Sequence, residues 1–108
     1  MHACIANREW FKGIVLSTTF FEHFGGLKLR NHLHGRVSED KLRNLTLIEI
    51  IIFLFGLDLI TQPSYSKIQK VKDKRNDLVH KPFTKTAPEE AEQLIRAAIE
   101  CLKELGVS

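Results

Sequence analysis

The segment Leu45–Ile60, "LTLIEIIIFLFGLDLI", constrains the fold more than any other part of the chain. Wound as a helix, it is apolar nearly all round, so it must be covered on more than one side. A bilayer is not the expected cover: Glu49 and Asp58 interrupt the run, and it falls short of the roughly 20 residues that a span needs. Nor can the rest of the chain wrap it completely, because 108 residues make one domain with a small core. The surplus apolar surface is therefore expected to meet a second copy across a dimer interface.

Around this segment the periodicity predicts an all-α domain spanning residues 1–108, a four-helix up-and-down bundle that dimerises through its second and third helices. The first helix is expected from about Ala3 to Phe24, with Trp10, Ile14, Phe21 and Phe24 on one face. Ser17 and Thr18 fall on or beside that stripe, where their hydroxyls can bond carbonyls one turn earlier. Gly25-Gly26 is read as the stop, since glycine takes a left-handed cap without steric cost. A polar, basic connection, "LKLRNHLHGRVSEDK", follows, and the second helix is expected from about Ser38 to Leu59. Thr61-Gln62-Pro63-Ser64 reads as a turn and cap opening a third helix over about Ser64 to His80. The last helix opens at "TAPEE", where Thr86 and Glu89 have capping-box spacing. Its apolar stripe is Ala91, Leu94, Ile95, Ala98, Leu102 and Leu105, with Gly106 as the stop.

The charge balance, 16 Lys+Arg against 13 Asp+Glu, is a mild basic bias, compatible with a phosphate-bearing partner and equally with surface lysine alone. Cys4 and Cys101 are too few for a disulfide scaffold and lack zinc spacing; whether they pair is left open. Arg8 and Glu9 come before any apolar stretch long enough for a signal peptide, so the expected setting is a reducing cytoplasm without membrane attachment. His32-Leu33-His34 with His23 lacks the acid that would complete a set of ligands, and no metal or other cofactor is expected.

One helix breaks its own pattern. On a wheel of about 100° per residue, Ile68, Val71, Leu78 and Val79 share a sector of the third helix, and Arg75 sits in the middle of it. Asn76 and His80 occupy a neighbouring sector, with Tyr65 and Gln69 on the same flank. A charge in an apolar seam costs several kcal/mol unless something neutralises it. Either Arg75 pairs with Glu49, the acid in the apolar run, or snorkels to the surface, or it meets an anionic ligand with Asn76 and His80 beside it. His80 read alone is a histidine at a helix C-terminus, favoured there by the macrodipole.

At Arg75-Asn76-Asp77-Leu78-Val79-His80 the sequence resembles the HEPN superfamily, small all-helical proteins many of which are ribonucleases. Their signature is an Arg, four to six residues, then a His, often with a polar residue directly after the Arg, as Asn76 is here. The motif ends the third of four expected helices and follows a strongly apolar one, as the family's layout requires. The resemblance implies a homodimer in which two motifs face each other across a cleft. It also implies a metal-independent endoribonuclease acting on single-stranded or looped RNA, and a setting as a toxin or defence effector.

In that chemistry the substrate's own 2′-hydroxyl attacks the adjacent phosphate, leaving a 2′,3′-cyclic phosphate and a free 5′-hydroxyl. The resemblance assigns proton transfer to His80, phosphate binding to Arg75, and orientation of either to Asn76. Lys28, Arg30, Arg36 and Lys41, in and around the basic connection, are candidate guides for the RNA strand. Many HEPN toxins paired with a minimal nucleotidyltransferase antitoxin carry a tyrosine two residues after the motif histidine; here that position is Pro82, which weakens the expectation of such a partner. The alternative is a non-catalytic HEPN-like RNA- or nucleotide-binding module, or a helical dimerisation module.

Overall fold

The apolar run does not form one long helix. Thr46 accepts a hydrogen bond from the Glu49 N–H, and the Glu49 carboxylate accepts from the Thr46 N–H at 3.0 Å, a reciprocal cap that starts a helix at Leu47. That helix ends at Gly56, and Asp58 adopts a left-handed conformation (φ 57°) just beyond it. In the computed structural model, which describes residues 1–81 and 87–106, the described helices are α1 (His2–Ala6), α2 (Trp10–His32), α3 (Glu39–Arg43), α4 (Leu47–Gly56), α5 (Gln62–His80) and α6 (Pro88–Glu104). The domain is all-helical among these residues, and none of these helices is long and apolar enough to cross a membrane.

The expected boundaries shift in three places, each with a local cause. The first helix breaks after Ala6, where Arg8 turns left-handed (φ 56°) and the N–H groups of Arg8 and Glu9 close onto Ile5 and Cys4. That break folds Cys4 inward against Gly13. Gly25-Gly26 is not a stop: both glycines are buried inside α2, which continues to His32. They lie where α4 crosses. A Cβ on Gly25 would come within 2.9 Å of Ile50 Cγ2 and 3.0 Å of Leu54 Cδ1. The predicted second helix is in fact α3 and α4, divided by Asn44, whose side chain donates back to the Asp40 carbonyl, and by the Thr46 cap.

The expected third and fourth helices form, with their ends close to where the periodicity set them. Thr61 caps α5 with Pro63 in its first turn, and α5 ends at His80. Ala91, Ile95, Ala98 and Leu102 of α6 are buried, and Gly106 (φ 91°) follows that helix; Thr86 lies outside the described residues. Ser17 donates to the Gly13 carbonyl at 2.6 Å and Thr18 to Val15 at 2.9 Å, which satisfies two hydroxyls buried in the core. Cys4 and Cys101 are both free thiols.

Helix directions follow from paired residues. Lys67 meets Glu100 at 2.7 Å and Lys74 meets Glu90 at 3.7 Å, so α5 and α6 are antiparallel. Trp10 shares a surface hollow with Pro88 and Glu92, and Phe20 and Phe24 line one cavity with Ile99 and Leu102, so α2 and α6 run the same way. An up-and-down bundle would set its first and third helices parallel, whereas α2 and α5 run in opposite senses. The core they enclose centres on Ile14, Phe21 and Leu29 of α2, Ile51 and Leu54 of α4, Ile68 and Val71 of α5, and Ile95 of α6.

Candidate functional site

The last turns of α5 reach past the core, and this decides what its residues can do. Ile68 and Val71 are fully buried, yet Leu78 is only half-buried and Val79, in the same sector, is 52% exposed. Arg75 lies between these two regimes. It is half-buried, and its Nε is sealed from solvent without a hydrogen-bond partner among the described residues. The stem of such an arginine covers apolar surface while its terminal nitrogens reach outward.

Glu49 does not neutralise it. That carboxylate is engaged by the Thr46 N–H and hydroxyl at the start of α4, and these bonds, the backbone one foremost, hold it below the ordinary carboxyl range. Asp77 is engaged as well, by Lys81 at 3.3 Å. Among the described residues, Arg75 has no carboxylate within 4.0 Å.

Asn76 is half-buried beside Arg75, and His80 is exposed as the last residue of α5. Their flank is anchored to α4 further back, where the Tyr65 ring stacks on Phe55 with centroids 4.5 Å apart. Helical spacing puts Lys72 on this flank too, four residues before Asn76. Its side chain is only 12% exposed, with its ammonium 3.1 Å from Asp73. The sequence reading passed over Lys72, and the signal was available: Lys72, Asn76 and His80 are spaced by four. This half of α5 thus carries a half-buried guanidinium and, in a neighbouring sector, a lysine side chain that is 12% exposed, an amide and an imidazole.

The four predicted strand guides do not form one loop, because α2 extends to His32 and puts Lys28 and Arg30 on a helix. Lys28 is half-buried and its charge acts on Glu104. Arg30 lines a cavity of about 340 Å³ between α2 and the α3–α4 region, together with His23 and Arg43. Arg36 is exposed in the turn after α2, and Lys41 is exposed on α3. Pro82 lies outside the described residues.

A separate groove between α5 and α6, of about 490 Å³, is lined by Lys67, Lys70, Asp73, Lys74 and Asp77 of α5 and by Glu90 of α6. Its charges largely answer one another. Of the motif residues only Asp77 lines it; Arg75, Asn76 and His80 do not.

No protein-family model, no curated protein and no solved structure matches the chain.

Proposed function

We propose that the protein is a HEPN-like, metal-independent endoribonuclease that cleaves single-stranded or looped RNA. One observation carries the reading: Arg75 is held half-buried at the rim of the core with no carboxylate partner among the described residues. A fixed cation in that position is costly for folding and suited to binding a phosphate. His80, about one and a half turns on and open to solvent, supplies an imidazole as the group for proton transfer.

The reaction balances without a further reactant. A base removes the proton of the 2′-hydroxyl as its oxygen attacks the adjacent phosphorus. The P–O5′ bond then breaks, and an acid protonates the departing 5′-oxygen. The products are a 2′,3′-cyclic phosphate and a 5′-hydroxyl. His80 fills one of these roles and His80 of a second copy the other, while Arg75 binds the phosphoryl oxygens as charge builds on them. Asn76 positions His80 or bonds the phosphate. In-line attack needs a flexible backbone, hence the preference for unpaired RNA. Arg30, Arg36 and Lys41 guide the strand; Lys28, opposed by Glu104, contributes least.

The second copy docks on α4 and the end of α5. Ile48, Ile52 and Phe53 are exposed along α4 and Leu57 at its C-cap, and Val79 is exposed on α5. Single exposed apolar residues are ordinary, but three on a ten-residue helix and a fourth at its C-cap are a patch that calls for a cover.

The test is cleavage of an end-labelled single-stranded RNA in EDTA by the wild type, His80→Ala and Arg75→Ala. The expected result is a cyclic-phosphate product from the wild type and a loss on the order of 100-fold or more in each variant. Cleavage that survives both substitutions would place the activity elsewhere.

A further inference from the structure

We infer that the cavity between α2 and the α3–α4 region is a second anion site, which binds a phosphate of a nucleotide chain through Arg30 and Arg43. The phosphate chemistry follows from the cavity itself; that the phosphate belongs to a nucleotide chain rests on the ribonuclease reading above.

Position decides the argument for Arg30. Its guanidinium folds back along its own helix, so that a Cβ on Gly26 would lie 3.5 Å from Nη1. The glycine thus leaves the fork lying against bare backbone at the cavity wall. No carboxylate lies within 4.0 Å of Arg30 among the described residues. Arg43 enters the same cavity from α3. Its ion pair with Glu39, at 3.4 Å, joins two side chains that are each more than half exposed. Such pairs contribute little, so a ligand can recruit Arg43 at small cost.

The wall also holds the His23 imidazole, set edge-on to the Phe24 ring at 5.0 Å, which supplies a nitrogen for hydrogen bonding. Glu22 lines the cavity as well and opposes an anion. Two forks of planar donors against one carboxylate still favour a tetrahedral oxyanion, which arginine binds in bidentate fashion. At about 340 Å³ the space exceeds what a bare phosphate fills and falls within the range of small-ligand sites.

The test is a nuclear magnetic resonance titration of the isotope-labelled protein with inorganic phosphate at constant ionic strength. Saturable shifts are expected at the Nε–H signals of Arg30 and Arg43 and at the Gly26 amide. Arg30→Gln should weaken binding about tenfold or more, and Arg43→Gln, on the exposed face of α3, should weaken it with helix content unchanged. Glu22→Gln should tighten binding roughly threefold, a gain that misfolding does not produce. Shifts that never saturate and spread over the lysine-bearing surface would overturn the site, as would equal affinity in Arg30→Gln.

Single-stranded pentathymidylate, which lacks the attacking 2′-hydroxyl, then separates the sources. A nucleotide chain predicts tighter binding than phosphate at the same signals, and binding no tighter than phosphate would overturn that part. Because neither probe can be cleaved through a 2′-hydroxyl, failure here is distinct from failure of the ribonuclease reading.

Discussion

Gly25 and Gly26 are neighbours on α2 and meet different surroundings, so they separate two effects that glycine usually mixes. A methyl group at Gly25 would press on Ile50 Cγ2, which is fixed to a β-branched carbon and cannot swing aside. One at Gly26 would meet nothing nearer than 3.5 Å. Gly25→Ala should therefore cost about 1–3 kcal/mol from overpacking, whereas Gly26→Ala should gain about 0.5–1 kcal/mol from helix propensity. Thermal melts of the two single variants would check this by opposite shifts in Tm. The same pair shows where sequence reading fails. Two adjacent glycines look like a helix stop, and only the crossing of a distant helix explains them as a point of close approach. Arg75, by contrast, was legible as a misfit because its neighbours Ile68 and Val71 define a sector by spacing alone. That Glu49 does not pair with it follows from the cap that starts α4, a signal the surrounding apolar run obscures.

At the scale of elements, boundaries were partly written in the sequence. Thr46-Leu47-Ile48-Glu49 has the spacing of a capping box and divides the second predicted helix where the structure divides it. The continuous apolar character of the run hid that signal. The break after α1 left no comparable mark, because it rests on a left-handed Arg8 rather than on a glycine. The junction of α5 and α6 is a second such device. Glu104 accepts hydrogen bonds from the Thr61 N–H and hydroxyl and from the Ser64 hydroxyl, tying the end of one helix to the cap of the other. Desolvation is the largest single influence on this carboxyl and raises it, but the three donors together outweigh it and hold the group below its ordinary value of 4.5. A carboxyl held low contributes stability that is present above its unfolded value and is lost as pH falls through the folded one. Wild-type Tm should fall on acidification below about pH 4.5, and Glu104→Gln should lower Tm at pH 7 and flatten that fall. A Tm–pH profile unchanged in shape by the substitution would remove Glu104 from the account.

For the whole molecule, two features carry the proposal: the exposed apolar side chains of α4, and Arg75, which has no carboxylate partner among the described residues. The first predicts association. Light scattering after gel filtration should give twice the chain mass, and Ile52→Lys should give a single chain of unchanged helicity; a monomeric wild type at micromolar concentration would remove the dimer from the proposal. The second predicts that Arg75 serves a ligand at the expense of the fold, and one pair of readings on Arg75→Met tests it most directly. Methionine keeps the apolar stem and removes a charge whose Nε is buried without a partner among the described residues, a change often neutral or stabilising. The expected result is RNA cleavage reduced on the order of 100-fold or more, with Tm unchanged or raised by a few degrees. Wild-type cleavage, or a Tm lower by about 4–8 °C, the signature of roughly 1 kcal/mol of lost structural support, would contradict it.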